Sequence, residues 1–460
     1  MKKFKAIDLY GGIGGWTLGL QMAGIEVVSS YEYWMPAIES HNANFGHISK
    51  PIDIRKLNIS DLPSDIDIVV GSPPCTQFSY ANRGGSGNIN DGLIDIRKVL
   101  QIVKELQPKY WVIENVPRVA GILESELGSN KSLSEYSSLV KHIEVINCED
   151  YGIPQRRKRM IAGNYPLDKL KKYSLMLKKQ HPNIIEKSTL GEIISKLNSG
   201  TKIQDPIYGN TISSKSMTDH DPTDFLDSEE VRINKSSKEY HPIYNKMSFP
   251  DKLNRSSRTI TATCTRVSRE SIVIEKPKNK YRRLTIRERA SVQTFPINFQ
   301  LGGNSYNDRL KMVGNAIPPV LTYFIGKSML EEAESKINID LSKYIYKPSK
   351  IIKNEVSIDK KTNKYNQKRK FRHAIPGLRF GSGVRFELVN NTATSPVQWK
   401  VNYYFGSSKN IMSIPLDKEM LIKSSEKIKE FNIDLDLREL SKRTLIDGNK
   451  LQDRWINKTI

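Results

Sequence analysis

The sequence predicts an α/β protein: a doubly wound sheet in the first part, then a smaller irregular domain and an extra C-terminal α+β domain. Three observations carry this expectation. From Phe4 to Tyr165, short apolar runs that end in an acid, Gly or Pro alternate with amphipathic stretches, as in βαβ units with ligands at the strands' carboxyl ends. Periodicity fades over 166–255, which is rich in Lys, Ser, Asn and Asp. Beyond Leu341 the composition shifts to a lysine-rich tract and then to two alternating runs.

Taken in order, FKAIDLY (4–10) is a strand, GGIGG a glycine turn and WTLGLQMAG a helix. EVVSSYEY (26–33) is the second strand, and PAIESHNANFG (36–46) a helix with a glycine stop. DIDIVVGSPP (65–74) is a third strand closed by Gly and two prolines, and YANRGGSGNINDG (80–92) a polar, mobile loop. RKVLQIVKELQP (97–108) is amphipathic and precedes the strand YWVIENV (110–116). HIEVINCEDYGIPQ and RMIAGNY supply further strands and turns. Order returns with SRTITATCTR (257–266), and 283–334 is helix, loop and helix. VRFELVNN and VQWKVNYYF alternate like paired strands, and the last forty residues are expected to be helical. The expected division is 1–164 and 257–334 for the catalytic domain, 165–256 for recognition, 335–383 for a basic linker and 384–460 for a C-terminal domain without assignment.

Composition narrows the function classes. The 460 residues carry 72 Lys or Arg against 50 Asp or Glu, a net +22 that calls for a polyanionic partner. From Lys343 to Arg385 there are 13 Lys or Arg and 2 acids, half of the whole excess, expected to clamp phosphates. Three cysteines without a CxxC pair exclude a disulfide framework and a zinc ribbon, and no metal is expected. No apolar stretch approaches the ~18 residues of a membrane span, and the start lacks a signal core. A soluble, cytoplasmic protein is expected, with no membrane partner.

Four constellations could carry chemistry. Asp8, Tyr10, Gly12, Ile13, Gly14 and Gly15 form a glycine turn between strand and helix, where a ligand can approach the backbone. The dinucleotide fingerprint fails, because its last glycine falls on Thr17. Glu32 ends the next strand, where an acid takes ribose hydroxyls, and Asp53 follows the second helix at the same edge. A nucleoside cofactor without a pyrophosphate fits this set. In GSPPCTQFS, Pro73 and Pro74 fix Cys75 just past a strand end, and its thiol, with a pKa of ~8.5, is intrinsically nucleophilic. Glu114 closes the apolar strand WVI, and Gln155-Arg156-Arg157-Lys158-Arg159 places Arg157 and Arg159 on one strand face.

These motifs, in this order from Asp8 to about Lys327, resemble those of the C5-cytosine DNA methyltransferases. DLYGGIGG is similar to the cofactor motif, GSPPCTQFS to the cysteine motif, ENV to the acid motif and QRRKR to the arginine motif. RLTIRERASVQTFP (283–296) and GNAIPP (314–319) are similar to the two late motifs. Thr76 stands where the family usually has Gln, with Gln77 one later, and Tyr10 where Phe is usual.

The resemblance implies a Rossmann-like, S-adenosylmethionine-dependent methyltransferase domain acting on a base flipped out of duplex DNA. It makes Cys75 the nucleophile on cytosine C6, and Glu114 the group that holds N3. Arg157 and Arg159 then contact O2 and the Glu114 carboxylate, their charge favouring a thiolate. Tyr10 stacks at the adenine, Glu32 and Tyr33 border the ribose, Asp53 and Ile54 meet the adenine, and Pro74, Asn315 and Ile317 complete the pocket. Ser79, Gln155 and Thr261 are expected at the DNA. The implied setting is host-DNA protection by a monomer beside a separate restriction endonuclease, at the nucleoid of a prokaryote or expressed from a phage. The rivals are a transfer-RNA cytosine methyltransferase, a silent DNA-binding regulator with the same fold, and a nicotinamide oxidoreductase. The failed fingerprint and the charge count against the last.

Overall fold

The computed structural model describes residues 3–46, 48–75, 77–78, 88–186, 188–220, 224–239, 247–330, 339–353 and Asp359, together with the backbone of four strands between 372 and 415. The chain builds β1 (Lys5–Leu9), α1 (Gly15–Ala23), β2 (Glu26–Glu32), α2 (Met35–Phe45), β3 (Ser49–Pro51), β4 (Ile68–Gly71), α3 (Ile89–Leu106), β5 (Tyr110–Asn115), α4 (Arg118–Glu126), β6 (His142–Asn147), β7 (Gln155–Arg156) and β8 (Lys158–Asn164). A seven-stranded sheet runs in the order β3-β2-β1-β4-β5-β8-β6. Every pairing is parallel except those of β8, which is antiparallel to β5 and β6. The strand order turns between β1 and β4, so the loops after β1, β2, β4 and β5 crowd one edge of the sheet.

The central strands are apolar on both faces, as a covered parallel sheet requires. Ala6, Ile68, Val70 and Val112 face one layer with Trp16 and Leu20 of α1. Ile7, Leu9, Val69 and Ile113 face the other with Ile96, Val99, Leu100 and Val103 of α3. Helix α3 starts at Ile89 and not near Arg97, because Asn88 caps it by accepting from the Asp91 amide (3.2 Å). The end of the sequence-predicted loop is therefore helix. The short β3 was not anticipated: three residues carry no usable alternation.

Next come α5 (Leu167–Gln180), α6 (Pro182–Glu186), α7 (Leu190–Leu197), β9 (Lys202–Gln204), β10 (Thr211–Ser213), α8 (Ser228–Lys238), β11 (Ser257–Arg258), β12 (Val273–Glu275), β13 (Tyr281–Arg283), α9 (Ile286–Val292), α10 (Tyr306–Asn315) and α11 (Pro319–Met329). The stretch from 165 is more regular than its polar composition indicated. Leu167, Leu170, Tyr173 and Leu177 of α5 join the core that also holds Leu321 and Phe324 of α11. The boundary expected at 165 thus cuts through the catalytic core. Helix α11 lies on α1: a Cβ at Gly19 would be 1.9 Å from Thr322 Oγ1, and Thr322 Oγ1 donates to the Gly15 carbonyl (2.8 Å). The late motifs thereby return to the first helix.

Residues 339–353, within the stretch expected to be a basic linker, pack onto the folded unit. Ile339, Leu341 and Tyr346 are buried. Tyr346 donates its hydroxyl to Asn44 Oδ1 (2.7 Å) and exchanges backbone bonds with the Asn210 side-chain amide (2.6 and 2.9 Å). Asp359 reaches Arg283 (3.0 Å). Further on, β14 (Arg372–Phe380), β15 (Val384–Asn391), β16 (Gln398–Phe405) and β17 (Asn410–Pro415) pair antiparallel in sequence order. The two alternating runs are β15 and β16. The helices expected over the last forty residues, 421–460, lie outside the described residues.

Candidate active site

Past β1 the backbone turns sharply, with positive φ at Tyr10 (55°), Gly12 (53°) and Gly14 (94°). A Cβ at Gly15 would lie 2.2 Å from the Ile317 carbonyl, so the late segment closes directly on the turn. A Cβ at Gly12 would meet nothing within 4 Å, which leaves open space over the turn. Ile13 and Ile317 are buried beneath it.

At the end of β2, Glu32 accepts from the backbone N–H groups of Gly12 (3.1 Å), Tyr33 (2.8 Å) and Trp34 (2.9 Å). Tyr33 itself is exposed. Asp53 is exposed and caps the short helix that follows it by accepting from the Arg55 amide (3.0 Å), while Ile54 is buried in the core. Pro74 and Asn315 are exposed. Asp8 lies fully buried under this edge and not on it. Its Oδ2 accepts from Thr17 Oγ1 (2.8 Å), and that hydroxyl lies 3.0 Å from His41 Nε2. Oδ1 has no partner among the described residues. Burial pushes the Asp8 carboxyl up to about 7, and burial holds His41 down to about 3.

The loop after β4 is held from both sides. Ser72 N donates to the Leu9 carbonyl (3.1 Å), Trp16 Nε1 to Ser72 Oγ (3.0 Å) and Asn115 Nδ2 to the Pro73 carbonyl (3.0 Å). Cys75 follows, half-buried, and its carbonyl accepts from Phe78 N (3.0 Å). Glu114, at the end of the neighbouring strand, is 5% exposed and pairs with Arg159 Nε at 2.8 Å. Arg157 points inward, donating to the carbonyls of Ile260 (2.9 Å), Gly314 (3.0 Å) and Ala316 (3.0 Å). Burial pushes it down to about 9. Arg157 thus ties the arginine segment to the late motif, and Arg159 alone meets Glu114.

Burial raises the Cys75 thiol above its ordinary value and the Glu114 charge adds to this, while Arg159 and Arg157 oppose it. The expected preference for a thiolate beside the arginines is therefore outweighed in the free protein, where Glu114 already engages Arg159 and desolvation dominates. Gln155 is not a DNA contact either. It is fully buried, its Nε2 donating to Gln293 Oε1 (2.8 Å) and its Oε1 accepting from Ile260 N (2.8 Å). Thr261 is half-exposed beside Thr263, to whose carbonyl its hydroxyl donates (3.3 Å). Ser79 and Thr76 lie outside the described residues.

Sequence reasoning missed Asn115 as the clamp on Pro73 and missed Arg55, Asp91 and Asp95 around Tyr10. The only sequence signal for the last two is their i,i+4 spacing on one helix face.

The match to the C-5 cytosine-specific DNA methylase family spans residues 4–331, and the chain belongs to that family. The protein is a DNA (cytosine-5-)-methyltransferase. It is similar to the Type II methyltransferases M.NgoPII of Neisseria gonorrhoeae (28% identical, covering 72% of this chain and 96% of the relative) and M.FnuDI of Fusobacterium nucleatum (29% identical, 73% and 96%). It is likewise similar to M.HindV of Haemophilus influenzae (28% identical, 71% and 96%). No helix among the described residues is long and apolar enough to cross a membrane.

Proposed function

We propose that this chain methylates C5 of a cytosine flipped out of a specific duplex DNA sequence, as the modification enzyme of a Type II restriction–modification system. The observation that carries the reading is the meeting of Cys75, Glu114 and Arg159 at the ends of the adjacent strands β4 and β5 and at the start of β8. The Type II relatives and the net charge of +22 support the DNA partner and the protective role. A monomer on DNA, with a separate endonuclease as its counterpart, fits this reading.

The residues present fit S-adenosylmethionine. The space over Gly12, the Tyr10 ring, the Glu32 and Asp53 carboxylates and the absence of a Lys or Arg in the glycine turn suit a nucleoside without phosphates better than a pyrophosphate. When bound, it supplies an electrophilic methyl group. Tyr10, Glu32, Tyr33, Asp53, Pro74, Asn315 and Ile317 hold it; Asp8, Ile13 and Ile54 support the pocket from beneath.

Cytosine C5 is too weak a nucleophile to take a methyl group unaided. Cys75 Sγ adds to C6 as thiolate, and the electron pair of the C5–C6 double bond moves toward C5. Glu114 holds the base at N3, where charge develops as the adduct forms, and Arg159 keeps Glu114 in place. C5 would take the methyl group while the pair of the donor's carbon–sulfur bond stays on the donor's sulfur. The C5 proton then departs to a base, its bonding pair re-forms the C5–C6 double bond, and Cys75 leaves C6 with the pair of the carbon–sulfur bond. Flipping the base costs a few kcal/mol, offset by these pocket contacts. Cys75→Ser tests the step: transfer should vanish while duplex binding in a gel-shift titration survives. Full transfer by that variant overturns the thiolate mechanism.

A further inference from the structure

Cys75 and the cofactor side of the pocket are tied to one helix turn. Gln77, two residues beyond Cys75, donates Nε2 to Asp91 Oδ2 (3.1 Å) and accepts at Oε1 from Asn88 N (3.0 Å). Phe78 is buried against Gly92, where a Cβ would lie 2.4 Å from Phe78 Cζ. Gln77 and Phe78 therefore rest on the start of α3. Arg55 lies on the other side of the same helix turn. It donates Nη1 to Asp91 Oδ1 (2.9 Å) and Nη2 to the Asp91 carbonyl (3.0 Å). Its Nε and Nη2 also form a two-pronged bond to the Asp95 carboxylate (2.8 and 2.7 Å). The Tyr10 hydroxyl completes the run by donating to Asp95 Oδ1 (3.0 Å).

A continuous hydrogen-bonded chain, Tyr10–Asp95–Arg55–Asp91–Gln77, thus links the end of β1 to the residue two past the nucleophile. The outer pair, Arg55 with Asp91, is about one-third exposed on both sides and contributes little stability by itself. The inner pair differs, because the Asp95 side chain is only 4% exposed and is held from two directions. A phenylalanine at position 10 would have the ring but no link to Asp95.

We propose that this relay couples the cofactor pocket to Cys75, with Gln77, Asp91, Arg55 and Asp95 as positioning residues and the Tyr10 hydroxyl as its cofactor-side end. The relay rests on the reading of Cys75 as nucleophile and of Tyr10 as a wall of the cofactor pocket. Filling the pocket beside Tyr10 then shifts the exposure and alignment of the Cys75 thiol through α3.

The test alkylates the full chain with iodoacetamide and follows the Cys75 peptide by mass spectrometry, with and without S-adenosylhomocysteine at saturation for each protein. In the parent, the ligand should change the Cys75 rate by about fivefold or more, the scale of a coupled pair of sites. In Tyr10→Phe and in Gln77→Ala that change should shrink to within about twofold, with kcat lowered and KM for DNA kept. Arg55→Lys should retain only part of it, since an ammonium cannot bridge both carboxylates as the fork does. A staple that only stabilises the fold would lower Tm in these variants and leave the ligand effect intact. A parent-sized effect in both Tyr10→Phe and Gln77→Ala overturns the relay, and so does its absence in the parent. Cys75→Ser, assayed alongside, separates the two claims: methyl transfer by that variant sinks the nucleophile reading, whatever the alkylation shows.

Discussion

Glu114 and Arg159 form a buried ion pair, 6% and 12% exposed at their side chains, and the proposed reading puts it against the flipped base. Glu114→Gln keeps the shape but loses the acidic group that can give N3 a proton as negative charge develops on the ring, so transfer should fall about a hundredfold with duplex affinity retained. Arg159→Ala leaves Glu114 buried without its cation and should cost about 3 kcal/mol of stability in denaturant titration. The Cys75 thiol is held above its ordinary value, so its thiolate fraction still climbs tenfold per pH unit through neutrality. The logarithm of kcat/KM should therefore rise with pH past ~8.5, the free-thiol value; a plateau already reached at pH 7 contradicts the assignment. Asp8 titrates at about 7 when folded, against 3.8 for the free group, so the folded state holds its proton longer. Its contribution to stability is fully present below about pH 4 and lost as pH rises through 7. Asp8→Asn should flatten the decline of Tm between pH 4 and 7. The strand-end positions of Cys75 and Glu114 were legible in the sequence because an apolar run precedes each, whereas Arg159, at the start of β8, showed only as part of a basic run. Gln155 was not, because the partners that bury its amide, Ile260 and Gln293, lie far along the chain.

At the scale of elements, the glycine turn and α1 work only because α11 closes on them. Gly19 meets Thr322 Oγ1, the Pro319 carbonyl (2.5 Å) and Tyr323 N (2.6 Å) where a Cβ would stand. Two of these are backbone and cannot turn aside, so Gly19→Ala should cost about 1–3 kcal/mol. It should also weaken binding of S-adenosylhomocysteine by calorimetry, since Gly15 and Ile317 share that interface. The strands β4 and β5 were readable because buried parallel strands are near-continuous apolar runs, and β1 and β2 because an apolar stretch in each ends close to a glycine or an acid. The start of α3 was not, since Asn-Ile-Asn-Asp-Gly has loop composition and is helical only through the Asn88 cap and the ties of Asp91 to Arg55 and Gln77. Helix α5 was hidden for a related reason: among its many lysines, only Leu167, Leu170, Tyr173 and Leu177 carry the apolar stripe.

For the whole molecule, the family match ends at residue 331, yet the folded unit continues at least through the strap at 339–353. Composition could not show this, because a strap is defined by distant partners such as Asn44 and Asn210 and not by its own periodicity. A chain ending at Lys353 keeps the strap but loses Asp359 from Arg283 and should melt slightly below the parent, whereas one ending at Asn338 should melt several degrees lower still. If the basic tract beyond Lys353 touches DNA, the chain ending there binds duplex with a shallower salt slope than the full chain. The slopes should differ by about 0.9 for each phosphate the tract neutralises, and equal slopes mean the tract leaves phosphate alone. The central claim is cytosine C5 methylation in duplex DNA. It is tested most directly by transfer from labelled S-adenosylmethionine to mixed-sequence duplex, with transfer RNA in a parallel reaction and base-resolution mapping of the product. Label at C5 of cytosine within one short duplex motif is the predicted result; label confined to RNA, or none on DNA that the protein binds tightly, would contradict it.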